Sequence, residues 1–300
     1  MEWSLTRTAR RSAYWLGAAL ERHAGVRVSR VERRPAGRAG RPGASVRPPA
    51  DPVADRLLVA PVFVLSAPRS GSTLLRVLLD SHPELHAPIE THVRRLSVRC
   101  TTRLARAAME AFGHNTADVE HLLWDRLLHR ELVRSGKRVL VEKTPSNVFV
   151  AERLAVCWPD ARFVFLLRHP ASVARSWHEA DPVRRPMNRA VPHTLAYMEA
   201  LERARKRLAG LTVRYEDLTA DPAAETRRLC DYLGVPWAPE MLAYGRQDHG
   251  EFRKGMGDWR EKIRSGAVQP GRPLPAPDAV PPALREMARR WGYLPVPVAG

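Results

Sequence analysis

Residues 62–75, V-F-V-L-S-A-P-R-S-G-S-T-L-L, constrain this chain more than any other segment. The segment opens within a continuous apolar run over residues 57–65, which reads as a parallel strand buried on both faces. A short Gly/Ser loop follows. Leucines at 74, 75, 78 and 79 then recur at helical spacing over residues 72–81. Strand, small loop and helix in that order make an anion cradle. The first N–H groups of the helix have no intrahelical partner, and the helix dipole favours negative charge beside them. Gly71 allows close backbone approach, and Ser70, Ser72 and Thr73 add hydroxyls. Arg69 adds a planar, permanently charged fork suited to phosphate or sulfate oxygens.

Further strands are expected at residues 138–141, 162–167 and 211–215. Helices are expected at 117–135, 148–157, 170–179, 192–208, 223–233 and 281–291. Strands alternating with helices imply an α/β fold, with a central parallel sheet flanked by helices and ligands at the carboxyl ends of the strands. Residues 1–55 differ. They read as a basic helix followed by a Pro/Gly/Arg-rich linker, leaving 56–300 as the folded domain. For residues 1–34, with Trp3, Tyr14 and Trp15, a packed or frayed helix is the plainer reading, and weak contact with a membrane surface is the alternative.

The net charge of +17 comes almost wholly from arginine, with 44 arginines against five lysines. Genomic base composition accounts for such a skew as well as function does, but the charge still favours encounter with anions. Cys100, Cys157 and Cys230 form no C-x-x-C pair, so neither a disulfide framework nor a zinc site is expected. A reducing compartment fits, and a cytoplasmic location is expected. The apolar run at 57–65 falls short of the roughly 20 residues needed to span a bilayer.

The loop departs from the nucleoside-triphosphate pattern G-x-x-x-x-G-K-[ST]. Ser66 stands where the first Gly belongs and Ser72 where the Lys belongs. The strand at 162–167 is followed by Arg168 rather than by an Asp that could help hold Mg²⁺. A metal-bound polyphosphate is poorly served, whereas a metal-free ligand with separate anionic groups is well served.

P-R-S-G-S-T-L-L-R at 68–76 resembles the 5′-phosphosulfate loop of sulfotransferases that use 3′-phosphoadenosine 5′-phosphosulfate (PAPS). The arginine form is that of many bacterial enzymes and of tyrosylprotein sulfotransferases. F-V-F-L-L-R-H-P-A-S-V-A-R-S-W at 163–177 is similar to the family's 3′-phosphate motif, with Arg168 at the strand end and Ser176 eight residues on. V-R-Y-E-D-L at 213–218 is similar to a later segment whose tyrosine, here Tyr215, lies near the adenosine; Glu216 and Asp217 are expected to cap or pair with arginines. F-R-K-G-M-G-D-W-R at 252–260 resembles the basic loop that closes over the 3′-phosphate, implying a role for Arg253 and Lys254. That loop is one residue shorter between Gly255 and Gly257 than the family pattern, which shifts its register.

The resemblance spans about 62–294 and implies a P-loop-like three-layer sandwich, PAPS as donor and its desulfated product PAP; no metal is expected, because the sequence offers no ligand cluster. It also implies catalytic roles. Glu90, in H-A-P-I-E-T-H, matches the general base, with His92 as the second candidate. Lys143, in V-E-K-T-P-S-N, matches a lysine that reaches the bridging oxygen or the moving sulfuryl group, and Arg69 shares that charge stabilisation. His82 and His86 carry no motif and are expected to be solvated. Two other functions compete: a P-loop-type small-molecule kinase and a non-catalytic binder of acidic polymers. Nucleic acid is not expected as a partner. Residues 93–137 and 178–210 carry no signature and are expected to shape the acceptor pocket. Small-molecule, carrier-bound and peptide acceptors stay open.

Overall fold

The strand β1 (Val62–Ser66) is buried along its whole length. That requires cover on both faces, and the chain supplies it. In this computed structural model, which describes residues 46–249 and 261–295, β1 is the middle strand of a five-stranded parallel sheet. The other strands are β2 (Leu85–His86), β3 (Val139–Glu142), β4 (Arg162–Leu167) and β5 (Leu211–Arg214), in the order β2-β3-β1-β4-β5. β1 pairs in register with β4 from Val62↔Arg162 to Ser66↔Leu166, and with β3 at Val62↔Val141 and Phe63↔Glu142.

Successive side chains of β1 point to opposite faces. Val62 and Val64 enter one core with Val164, Leu166 and leucines of α1 (Ser72–Asp80). Phe63 and Leu65 enter the other with Phe163, Phe165, Trp124 and Trp158. In that second core Phe63 packs 5.4 Å from Trp158 and stacks 5.8 Å from Phe163. Its helices are α3 (Thr116–Ser135), α4 (Ala151–Cys157), α5 (Pro170–Glu179), α6 (Met187–Arg207) and α9 (Pro282–Arg290), while α2 (Arg103–Ala111) contributes no buried residue. The first core is closed by α7 (Tyr215–Ala220) and α8 (Pro222–Leu233). The result is the three-layer α/β sandwich expected from the sequence. The compact unit containing these elements runs from Ala44 to Gly300.

Several boundaries differ from expectation, among them three that have a clear local cause or bear on the site. The apolar run at 57–65 is not all strand. Ala60 takes a left-handed conformation (φ 45°) before Pro61, and the N–H groups of Leu57 and Leu58 donate to the Asp125 carboxylate (2.8 and 3.1 Å) instead of to a neighbouring strand. The helix expected at 192–208 starts at Met187, so Pro192 lies inside it; Pro192 is exposed, and the carbonyl it leaves unpaired can meet water. Tyr215 is the first residue of α7, not the last of β5.

Candidate active site

The carboxyl ends of the central strands β1 and β4 open side by side, and the loops leaving them build one cleft. After β1 the chain turns through Arg69 (φ 69°) and Gly71 (φ 88°) into α1, both in the left-handed region. At Gly71 this is imposed by contact as well as by dihedral. A Cβ there would lie 2.6 Å from Cε2 of Tyr215 and closer still to Cδ2, so the aromatic ring lies directly on the loop backbone. Ser70, Ser72 and Thr73 are buried around the same turn.

The two anion motifs, about a hundred residues apart in sequence, touch. Arg69 Nε donates to Ser176 Oγ (3.3 Å), and Arg168 Nη1 donates to the Arg69 carbonyl (2.8 Å). The Arg168 guanidinium lies 4.2 Å from the centroid of the Tyr215 ring. Burial pulls the pKa of Arg168 down, opposed by Tyr215 and Glu216. Its Nε is buried with no hydrogen-bond partner among the described residues, an unused donor beside the cleft. Glu216 acts as a suture: it accepts from the His169 N–H (3.0 Å) and the Tyr293 hydroxyl (2.6 Å), joining the tip of β4 to the start of α7. Arg69, Gly71, Ser72, Thr73, Arg168, Ser176 and Tyr215 all line a cleft of about 440 Å³. Arg253 and Lys254 lie outside the described residues.

Glu90 lines the same cleft although 91% buried. α1 holds the segment that delivers it: Asp80 Oδ1 accepts from the Ala87 N–H, and Arg76 Nη1 donates to the Ala87 carbonyl (both 2.9 Å). One oxygen of the Glu90 carboxylate accepts a hydrogen bond from the Lys143 ammonium; the other lies 3.7 Å from His92 Nε2. Lys143 has no exposed side-chain surface and is not among the residues lining the cleft; where the resemblance implied a reach to the bridging oxygen or the moving sulfuryl group, its ammonium here meets Glu90. Burial lowers its pKa, opposed chiefly by Glu90. A buried ammonium with a carboxylate partner is costly to uncouple, so the two form one unit.

Sequence reasoning missed a buried carboxylate beside this unit. Glu142, next to Lys143 and fully buried, accepts from Thr91 Oγ1 (2.7 Å) and Thr144 Oγ1 (2.6 Å) on one oxygen and from the Asn147 amide on the other. Thr144 Oγ1 in turn accepts from the His92 N–H (3.3 Å), at a residue held in the left-handed region (φ 51°). Burial raises the Glu142 pKa, against the hydrogen bonds from the two threonines. The available signal was a glutamate closing an otherwise apolar strand, V-L-V-E. His82 also departs from expectation. It is buried, with Nε2 donating to the Pro236 carbonyl (2.7 Å) and Nδ1 accepting from the Glu84 N–H (3.0 Å); His86 is half-buried, 3.5 Å from Asp80.

In comparisons with known proteins, nodulation protein NoeE of Sinorhizobium fredii is 28% identical over 69% of this chain and 57% of its own length. Protein-tyrosine sulfotransferase A of Caenorhabditis elegans is 26% identical over 60% of this chain and 51% of its own, and protein-tyrosine sulfotransferase 1 of Danio rerio 27% over 60% and 55%. The chain thus spans about half the length of these curated relatives. The sulfotransferase domain of the Synechococcus PCC 7002 olefin synthase shares the fold, with a TM-score of 0.61 at 23% identity, covering 84% of this chain and all of that one. The sulfotransferase domain from the curacin biosynthetic pathway gives 0.58 at 24%, over 79% and 99%. A profile described as the sulfotransferase family matches residues 61–239, more than half of the chain, and the chain belongs to that family.

Proposed function

We propose that this chain transfers a sulfuryl group from PAPS to an acceptor hydroxyl or amine. The observation that carries the reading is the junction of the two anion motifs. Arg69 bonds to Ser176 and Arg168 to the Arg69 backbone, with the Tyr215 ring against both, in a cleft that also holds Glu90. Two cationic anchors and one aromatic face fit a nucleotide with two separate anionic groups. The 67–73 loop and Arg69 would hold the phosphosulfate, Arg168 and Ser176 the 3′-phosphate, and Tyr215 the nucleoside, with Arg253 and Lys254 assigned to the same phosphate from sequence alone. The donor supplies the sulfuryl group and departs as PAP.

The rest is the work of this chain's side chains. Glu90 takes the proton from the acceptor as its oxygen or nitrogen bonds to sulfur. Lys143 holds Glu90 in place from below and balances its charge. Arg69, already fixed by Ser176, steadies the oxygens of the moving group, so that catalysis rests on positioning and preformed charge. The protein-tyrosine relatives make a phenol the first acceptor class to test. We also assign a cytoplasmic location. Cys100, Cys157 and Cys230 are free thiols, and no described helix is long and apolar enough to cross a membrane.

Calorimetric titration with PAP, and with Mg·ATP as control, tests the donor. PAP is expected to bind and Mg·ATP to bind at least about tenfold more weakly, and Arg168→Ala is expected to weaken PAP by about tenfold or more. A protein that binds neither PAP nor PAPS refutes the reading, and unchanged PAP affinity in Arg168→Ala refutes the 3′-phosphate assignment.

A further inference from the structure

One wall of the cleft takes no part in the donor site. It begins one residue beyond Ser176. The Arg185 guanidinium lies 4.0 Å over the Trp177 ring, and Trp177 stacks on His193 at 4.6 Å and 14°. His193 contacts Tyr197 at 5.2 Å, Tyr197 meets Phe149 edge-on at 4.6 Å, and Arg94 closes the series 5.4 Å over Phe149. Four aromatic rings in sequence thus carry an arginine at each end. Trp177, Tyr197 and Arg185 line the cleft together with Glu90 and His92. The ladder's far end is Phe149, in the turn after Lys143, and Arg94 Nη1 holds that turn by donating to the Ser146 carbonyl (3.1 Å). The wall therefore runs along the side of the cleft that holds the base.

Arg185 differs from its cationic neighbours. Arg175 and Arg272 share Glu179 (3.9 and 2.8 Å), and Arg69 and Arg168 belong to the anion motifs. Arg185 meets no carboxylate among the described residues; its partner is the Trp177 ring. Its backbone is fixed, with its N–H donating to Asp181 (2.9 Å) and its carbonyl facing His178 Nδ1 (2.9 Å). A guanidinium stacked on an indole keeps its fork of N–H donors in one plane and is weakly hydrated, so it is prepared for an anion. Partial burial and the Arg185 charge lower the pKa of His193.

Resting on the sulfotransferase reading above, we propose that this wall is the acceptor subsite, and that it selects an elongated acceptor with a planar body and an anionic group at the end remote from its hydroxyl. The hydroxyl lies at Glu90, the planar body against Tyr197 and Trp177, and the anion at Arg185. The chemistry requires a carboxylate, phosphate or sulfate on the acceptor and does not distinguish among them.

The test uses the full chain saturated with PAP. It is titrated calorimetrically with 4′-hydroxybiphenyl-4-carboxylate and, separately, with its uncharged carboxamide. The carboxylate is expected to bind about tenfold more tightly than the amide, as a charge-assisted bidentate contact predicts. Arg185→Gln is expected to abolish that preference while PAP affinity stays within about twofold, and Arg185→Lys to keep part of it. Trp177→Leu is expected to weaken both probes. Equal binding of the two probes, no binding of either, or a preference that survives Arg185→Gln overturns the proposal. A protein that fails to bind PAP at the first step overturns the donor assignment instead.

Discussion

Replacing Gly71 by alanine tests the donor loop at its tightest point. Two costs add. The backbone sits at φ 88°, where an L-residue loses about 1–2 kcal/mol relative to glycine. The new methyl would also stand 2.6 Å from Tyr215 Cε2, against the roughly 3.5–4.0 Å at which carbon atoms rest. The ring, whose Cδ2 is nearer still, must therefore withdraw by about 1–2 Å, an overpacking cost of about 1–3 kcal/mol. The sum, about 2–5 kcal/mol, should lower Tm by roughly 5–15 °C in a domain of this size. Withdrawal of Tyr215 also takes the ring from Arg168, over which it lies at 4.2 Å, so PAP affinity should fall by about tenfold or more.

The double variant separates the two costs. Gly71→Ala with Tyr215→Ala removes the clash but keeps the unfavourable φ, so part of the lost Tm should return, measured against Tyr215→Ala alone. PAP affinity should stay low, because the aromatic face is gone. Calorimetry and thermal melts in parallel read both quantities. If Gly71→Ala melts within about 2 °C of the unmodified protein and binds PAP normally, the contact between loop and ring is not what shapes this site.

Three further outcomes follow from the site and the core. Glu90→Gln should abolish sulfuryl transfer while PAP affinity stays within a few fold, and it should also lower Tm, since the buried Lys143 ammonium loses its counter-charge; a fully active variant removes Glu90 as base. Glu142→Gln, at a residue that does not itself line the cleft, disturbs the bonds to Thr91 and to the cleft-lining Thr144 and should lower kcat by about 10–100-fold and shift the pH profile, with PAP affinity within a few fold; a wild-type kcat and profile would show that Glu142 does not position Glu90. Burial, with Arg153 beside it, lowers the pKa of His121 from 6.5 to about 4, and the folded state binds fewer protons than the unfolded chain between those values. Stability is therefore lost as pH falls from about 6.5 towards 4, by about 3 kcal/mol in all. His121→Gln, whose amide oxygen can still accept from Arg153 Nε, should flatten the slope of Tm against pH across that window, and an unchanged slope would contradict the assignment.

What could be read from the sequence was what local chemistry dictates. The tip of β1 was visible because a buried parallel strand must be apolar throughout and an anion loop must be small and polar. Arg168 and Ser176 were visible through their resemblance to the family's 3′-phosphate motif, and the strand end followed by Pro170 at a helix start gives that spacing a physical reason. Glu90 and Lys143 were each named through the family resemblance, but their pairing had no signal in the sequence. Glu90 and Lys143 come from a loop suspended on α1 at Ala87 and from the end of β3, and no periodicity relates positions 53 residues apart. Their partnership follows instead from burial. A lysine with no exposed surface must find a carboxylate, and a carboxylate so placed is fixed against the sheet while its other oxygen still faces the cleft. The aromatic ladder was hidden for a related reason. Trp177 belongs to one helix and His193 and Tyr197 to another, and no sequence period relates positions on two helices whose packing brings them together. The same argument ranks the two halves of the site. The donor half is set by loop chemistry that any strand–loop–helix of this composition must repeat, whereas the acceptor half is set by how two helices happen to pack. Substitutions in α6, and in α5 beyond Ser176, that preserve the buried faces should therefore change which acceptor is taken while leaving the donor loop as it is.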